Sequence, residues 1–184
     1  LQEADTLTGL FIETGPTVQV KSNRRRPSVY ADNDASVAWD GPMAVMVNRL
    51  SASASEIFAG AIQDYGRGII LGSQTFGKGT VQTLIPLNRG QLKITAAKFY
   101  RVSGKSTQHQ GIIPDITFPE LFDTDQIGES SLDDAMPWDM IQPAIYHQAT
   151  QIAPLLGELR LRHEARTEDN VDFNYYKAWS KKSK

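Results

Sequence analysis

Two short segments hold residues whose types and spacing could do chemistry. The first is Asn48-Arg49-Leu50-Ser51-Ala52-Ser53-Ala54-Ser55-Glu56, which joins a continuous apolar run to an amphipathic one. Small residues at such a junction let a substrate approach the backbone closely, and the free N–H groups of a helix start favour developing negative charge. A serine there is placed as a nucleophile by the geometric logic of a nucleophile elbow, although the G-x-S-x-G pattern is absent. Ser53-x-x-Glu56 is equally a capping box, in which the hydroxyl only satisfies a first-turn N–H. The residues alone leave both readings open.

The second segment, Gly72-Ser73-Gln74-Thr75-Phe76-Gly77-Lys78-Gly79-Thr80-Val81-Gln82, nearly spells the phosphate-binding loop G-x-x-x-x-G-K-[ST]. It departs where the match matters, because Gly79 replaces the metal-binding hydroxyl and β-rich residues follow instead of a helix. What remains is Lys78 between two glycines, either a solvated loop lysine or a base. A lysine is a base only when neutral, and bringing one from ~10.4 to ~7–8 takes ~4 kcal/mol from burial or positive neighbours. The histidines offer no triad: His109 lies in a polar stretch, His147 and His163 in an acidic C-terminal region, and all three read as surface residues.

These segments need elements to hold them. The periodicity predicts a helix ending near Gly9, short strands at Leu10-Phe11-Ile12 and Thr17-Val18-Gln19-Val20, and a polar loop over 22–40 that includes the solvated cluster Arg24-Arg25-Arg26. Met43 to Val47 reads as a strand covered on both faces of a parallel sheet. Ala54 to Tyr65 carries Ala54, Ile57, Phe58, Ala61, Ile62 and Tyr65 at helical spacing, with Glu56, Gln63 and Asp64 on the other side. Gly68 to Gly72 is a second buried strand, so 43–72 forms a right-handed βαβ unit. Thr80–Leu87 and Leu92–Val102 form a hairpin around Asn88-Arg89-Gly90. Residues 103–111 read as polar, and 111–116 as a last extended piece. From Glu120 to Asp139 seven acids and no Lys or Arg predict an exposed connector, and 138–166 reads as helical, with Pro143 and Pro154 as breakers or first-turn residues.

The chain has 184 residues, 40% apolar and 22% charged, near globular averages and far from a collagen-like or disordered chain. The longest apolar run, Pro42 to Val47, is too short for a membrane span, which needs ~20 residues. The absence of cysteine excludes a thiolate nucleophile and a zinc site built on sulfur. The net charge of −2 is unevenly spread, basic before residue 120 and acidic after, and neither half has the concentrated basic surface of a nucleic-acid partner. Beginning inside a predicted helix, the chain reads as a piece of a longer one.

Taken together, the serine turn and the lysine loop resemble the tail-specific, or carboxyl-terminal processing, serine peptidases. The resemblance is carried by Ser51 to Ala59, by Thr75 to Gln82, and by Gly111-Ile112-Ile113-Pro114-Asp115-Ile116. It implies an α/β fold with a βαβ core of the ClpP/crotonase-like type, added strands and a C-terminal helical appendage. It divides the chain into a catalytic core over 1–118, an acidic connector over 119–137 and the start of a helical extension over 138–184. It puts the nucleophile on Ser53, the general base on Lys78, a lysine-orienting glutamine on Gln82 and one oxyanion-hole donor on the N–H of Ala54. It implies no metal or organic cofactor, substrates that are unfolded or tail-exposed proteins, a PDZ domain elsewhere in the parent chain, a possible adaptor protein and a periplasmic location. Other classes compatible with the residues are a crotonase-like acyl-thioester enzyme and a non-catalytic binding or scaffold fragment.

Overall fold

The computed structural model describes residues 2–148 and 152–182. Its centre is the βαβ unit. β3 (Ala44–Val47) runs into α2 (Ala54–Tyr65) and returns as β4 (Ile69–Gly72), parallel to β3, while β7 (Ile116–Thr117) pairs parallel on the other side of β4. A second, antiparallel sheet has the order β2-β1-β6-β5, from β1 (Gly15–Ser22), β2 (Ser28–Asp32), β5 (Thr80–Pro86) and β6 (Gln91–Tyr100). The expected hairpin is β5–β6, with a bulge where Val81 and Gln82 pair with Ala97 and Thr95. α1 (Gln2–Gly9) precedes β1, and α3 (Leu156–Glu168) and α4 (Val171–Lys182) follow the last strand. No helix among the described residues is long and apolar enough to cross a membrane.

α2 is apolar around more of its circumference than a surface helix because three clusters draw on it. Ala59 and Ile62 pack with Val47, Ile70 and Ile112; Ile57 packs with Ala4, Val18 and Phe99; Tyr65 packs with Ile12 and Val102. Its polar side is not a solvent face either. Asp64 takes a two-pronged contact from Arg101, at 3.0 and 2.5 Å, and a hydrogen bond from the Ser103 hydroxyl, while Gln63 donates to Asp115. Glu56 is 0% exposed. Buried charges persist only when hydrogen-bonded or paired, and these are.

Several sequence expectations change. Leu10–Ile12 is a turn and bend, its backbone pairing with Ala38 and the Arg67 side chain rather than in a ladder. The 22–40 loop contains β2, an edge strand whose side chains gain little burial, so no apolar alternation marks it. Met46 of β3 is 74% exposed, so that strand is not covered on both faces here. The polar stretch 103–111 buries Ser106, Thr107 and Gln108, and the acidic stretch buries Glu129. Helix begins only at Leu156, after a short 3-10 turn at Ala153–Leu155 that holds Pro154. Residues 138–148 instead lie across the core, with Asp139 paired to Lys98, Ala144 N–H on Val102 O and Tyr146 edge-on to Tyr65.

Candidate active site

Ser53 ends the β3–α2 connection with φ 56° and ψ −108°. An ordinary N-cap residue sits in the extended region, whereas a non-glycine residue here holds strained backbone, of order 1–3 kcal/mol, that the surroundings must impose. The surroundings are visible. Ser51 N–H donates to Asn48 O at 2.9 Å, and Leu50 N–H to Asn48 Oδ1 at 3.0 Å, closing a tight turn. Ser53 N–H donates to Glu56 Oε2 at 2.8 Å, the carboxylate half of the capping box. The N–H of Glu56 reaches the Ser53 carbonyl oxygen at 2.9 Å, so the helix start does not depend on the hydroxyl alone. Ala54 is the first residue of α2, where the N–H has no intrahelical acceptor, and it is exposed.

The lysine loop lies against this turn. Lys78 N–H donates to the same oxygen, Glu56 Oε2, at 3.0 Å, which holds the backbone nitrogens of Ser53 and Lys78 within about 6 Å of each other. The other carboxylate oxygen accepts the Thr75 hydroxyl at 2.5 Å and the Gly77 N–H at 2.7 Å. Phe76 N–H adds a bond to Ser51 O at 3.0 Å. Burial pushes the Glu56 carboxyl above its ordinary value, against the opposing pull of these four donors. Gly77 has φ +89°, and a Cβ on it would meet the carbonyl of His109 at 2.7 Å. The glycines beside Lys78 are therefore explained by close backbone packing, with no phosphate needed.

Of the four residues the sequence reading singled out, the structure brings the turns of Ser53, Ala54 and Lys78 together. Among the described residues no hydrogen bond joins the side chains of Ser53, Lys78 and Gln82 to one another, and Gln82 is exposed on β5. The two-residue period that puts 78 and 82 on one face presumes extended chain, but β5 begins only at Thr80. The reading missed Glu56 as the group joining the two segments, and with it Thr75, Arg49, Gln108 and Glu129. The signal for Glu56 was a carboxylate one turn after a serine on a helix otherwise bound for the core. His163 is also no surface residue, being stacked on Phe118. A cavity of 330 Å³ opens beside the serine turn at the C-terminal ends of β3 and β4, walled by Met46, Ser51, Gly72, Phe118, Leu121 and Phe122. Such strand ends are where open α/β sheets bind ligands.

Residues 1–118 match the model of peptidase family S41. This chain belongs to that family. Residues 122–184 match the C-terminal domain of tail-specific protease. The S41 chain is 46% identical over 185 residues to the tail-specific protease of Haemophilus influenzae, covering 94% of this chain and 27% of that protein. It is 43% identical over 118 residues to the carboxy-terminal-processing protease of Bartonella bacilliformis, covering 63% and 27%. Among solved structures, the photosystem II D1 C-terminal processing protease superposes with a TM-score of 0.60 at 32% identity, over 67% of this chain and 33% of that one. The chain thus spans about a quarter of the length of these curated relatives, which are bacterial.

Proposed function

We propose that this chain carries the catalytic dyad of a C-terminal processing serine peptidase, with Ser53 as nucleophile and Lys78 as general base. The observation that carries the reading is the convergence of the Ser53 and Lys78 N–H groups on one oxygen of the buried Glu56 carboxylate. It fixes two strand-connecting loops, 25 positions apart in the sequence, in one geometry. In the reaction, the Lys78 amine takes the Ser53 hydroxyl proton as Oγ attacks the peptide carbonyl. The oxyanion points at the Ala54 N–H and a second donor, and Lys78 passes the proton to the leaving amine as the acyl-enzyme forms. Water then attacks the ester, with Lys78 again taking the proton, and Ser53 is released. The strained φ of Ser53 supports the nucleophile over the cap, since a cap needs no such backbone.

The substrates of this reading are unfolded or tail-exposed proteins with nonpolar C-terminal tails. The tails would add as a strand to a PDZ-type domain elsewhere in the parent chain, with an adaptor as a possible further partner, in the bacterial periplasm. In this reading Gln82 is the residue that helps orient Lys78. The test is hydrolysis of an unfolded protein with a nonpolar C-terminus by the intact parent protease. Ser53→Ala and Lys78→Ala are each expected to abolish cleavage with the fold retained. Lys78→Arg is expected to do the same, because a guanidinium is never neutral near pH 7. Cleavage at wild-type rate by any of the three sinks the dyad.

A further inference from the structure

On the side away from Glu56, the backbone of the lysine loop is bonded by Glu129 of the acidic stretch and by Arg49, Gln108 and His109. Glu129, 6% exposed, donates its N–H to Phe76 O at 3.0 Å. Its Oε1 accepts Gln108 Nε2 at 2.9 Å, and Gln108 Oε1 in turn accepts the Gly79 N–H, the residue after Lys78, at 2.9 Å. From the serine turn, Arg49, 2% exposed, donates to Thr75 O at 2.8 Å and to Ile127 O at 2.5 Å. It reaches Thr124 O and Ser130 Oγ at 3.3 and 3.4 Å. Its acceptors are carbonyls and a hydroxyl, so the guanidinium works as a fork that fixes backbone. Gly128 has φ +142°, and a Cβ there would stand 2.0 Å from Arg49 Nη2. Only a glycine lets the stretch cross the guanidinium so closely.

We propose that residues 124–131 are a strap that sets the position of Lys78, with Glu129 as its positioning residue and Arg49 as the clamp between strap and serine turn. This rests on the Ser53/Lys78 reading. Glu129 touches neither substrate nor reacting atoms; it acts through Gln108 and the Gly79 N–H. What it must supply is an acceptor at the right reach. A displacement of order 1 Å in a catalytic group can cost ~100-fold in rate, so the strap's effect belongs in kcat rather than in substrate binding.

The test compares Glu129→Gln, Glu129→Asp and Glu129→Ala in the intact parent protease, with kcat and KM measured on the unfolded-protein substrate and folding followed by heat unfolding. Glutamine keeps the length and an acceptor oxygen; aspartate keeps the charge but falls short. The expected result is kcat within about threefold of wild type for Glu129→Gln. For Glu129→Asp and Glu129→Ala the expected loss is about 10- to 100-fold in kcat, with KM little changed. If Glu129→Ala fails to fold, the Gln and Asp variants decide. The strap is overturned if Asp retains kcat while Gln loses it, if all three turn over like wild type, or if KM alone rises. Ser53→Ala and Lys78→Ala run alongside: cleavage by those variants sinks the dyad itself, whereas their inactivity beside a normal Glu129→Asp sinks the strap alone.

Discussion

At the scale of single residues, Glu56 is the group that ties the Ser53 turn to the Lys78 loop. Four donors meet its two oxygens: Ser53 N–H, Lys78 N–H, Gly77 N–H and the Thr75 hydroxyl. A glutamine there would turn an NH2 group toward donors, leaving buried groups unpaired at about 1–3 kcal/mol each. Glu56→Gln is therefore expected to cut turnover by about 100-fold or more in a protein that still folds, checked by kcat together with circular dichroism. The pH dependence has a defined sign. Burial raises the carboxyl above its ordinary value of 4.5, so the folded chain takes up this proton at a higher pH than the unfolded chain does. The cost of the buried charge is present at neutral pH, and stability from this group rises as pH falls through the folded value toward 4.5. Activity moves the other way, because a neutral acid cannot accept all four donors. Turnover is expected to fall at a pH above the ordinary glutamate range while the protein remains folded. Coincident loss of fold and activity on acidification would refute that account.

At the scale of elements, the lysine loop is a backbone device. Gly77 is fixed by its positive φ and by the His109 carbonyl, whose residue also donates its N–H to Gly77 O at 2.9 Å. Gly77→Ala is expected to destabilise the fold by about 1–3 kcal/mol and to lower turnover more than a surface alanine would, read from thermal unfolding and kcat on the same preparation. A neutral effect on both would mean that the loop has slack. The same scale shows what the sequence made legible. The βαβ unit and the hairpin were readable because Met43–Val47, Ala54–Tyr65, Gly68–Gly72 and the turn at Asn88-Arg89-Gly90 carry local periodicity and turn chemistry. Ser53 and Lys78 stood out as candidates because small residues crowd both, while their roles came only from the family resemblance. Glu56, Gln108 and Glu129 were not, because a buried polar residue satisfied by distant backbone looks like a solvent-facing one until the chain is folded. β2 escaped because an edge strand buries little, and 138–148 read as helix because nothing local reveals that Asp139 and Ala144 answer to Lys98 and Val102.

At the scale of the whole molecule, the C-terminal region is held to the core by specific polar and aromatic contacts rather than by a broad apolar face. His163 of α3 stacks on Phe118, just past β7, at 5.2 Å, with Phe173 of α4 edge-on to both rings. Arg160 Nε donates to Asp115 O at 2.9 Å. Arg166 Nη2 lies 2.9 Å from His163 Nδ1, and since a guanidinium only donates, Nδ1 is the acceptor and the ring is neutral, with its proton on Nε2. Burial, and then the Arg166 charge, hold this histidine below its ordinary value of 6.5, while Glu164 pulls weakly the other way. A histidine with a lowered folded value stabilises above its unfolded value, and that stability is lost as pH falls from about 6.5 through the lowered one. Protonation also sets a proton on Nδ1 against the Arg166 donor. The docking of α3 and α4 on β7 is therefore expected to weaken below about pH 6.5, seen as lower hydrogen-exchange protection factors, corrected for the intrinsic pH dependence of exchange, in 156–182 while α2 and β4 stay protected. His163→Phe should keep the stack and remove the pH dependence. Protection factors in these helices that are unchanged between pH 7.5 and 5.5 in the wild type would show that the ring stack, and not the Arg166–His163 hydrogen bond, holds them in place.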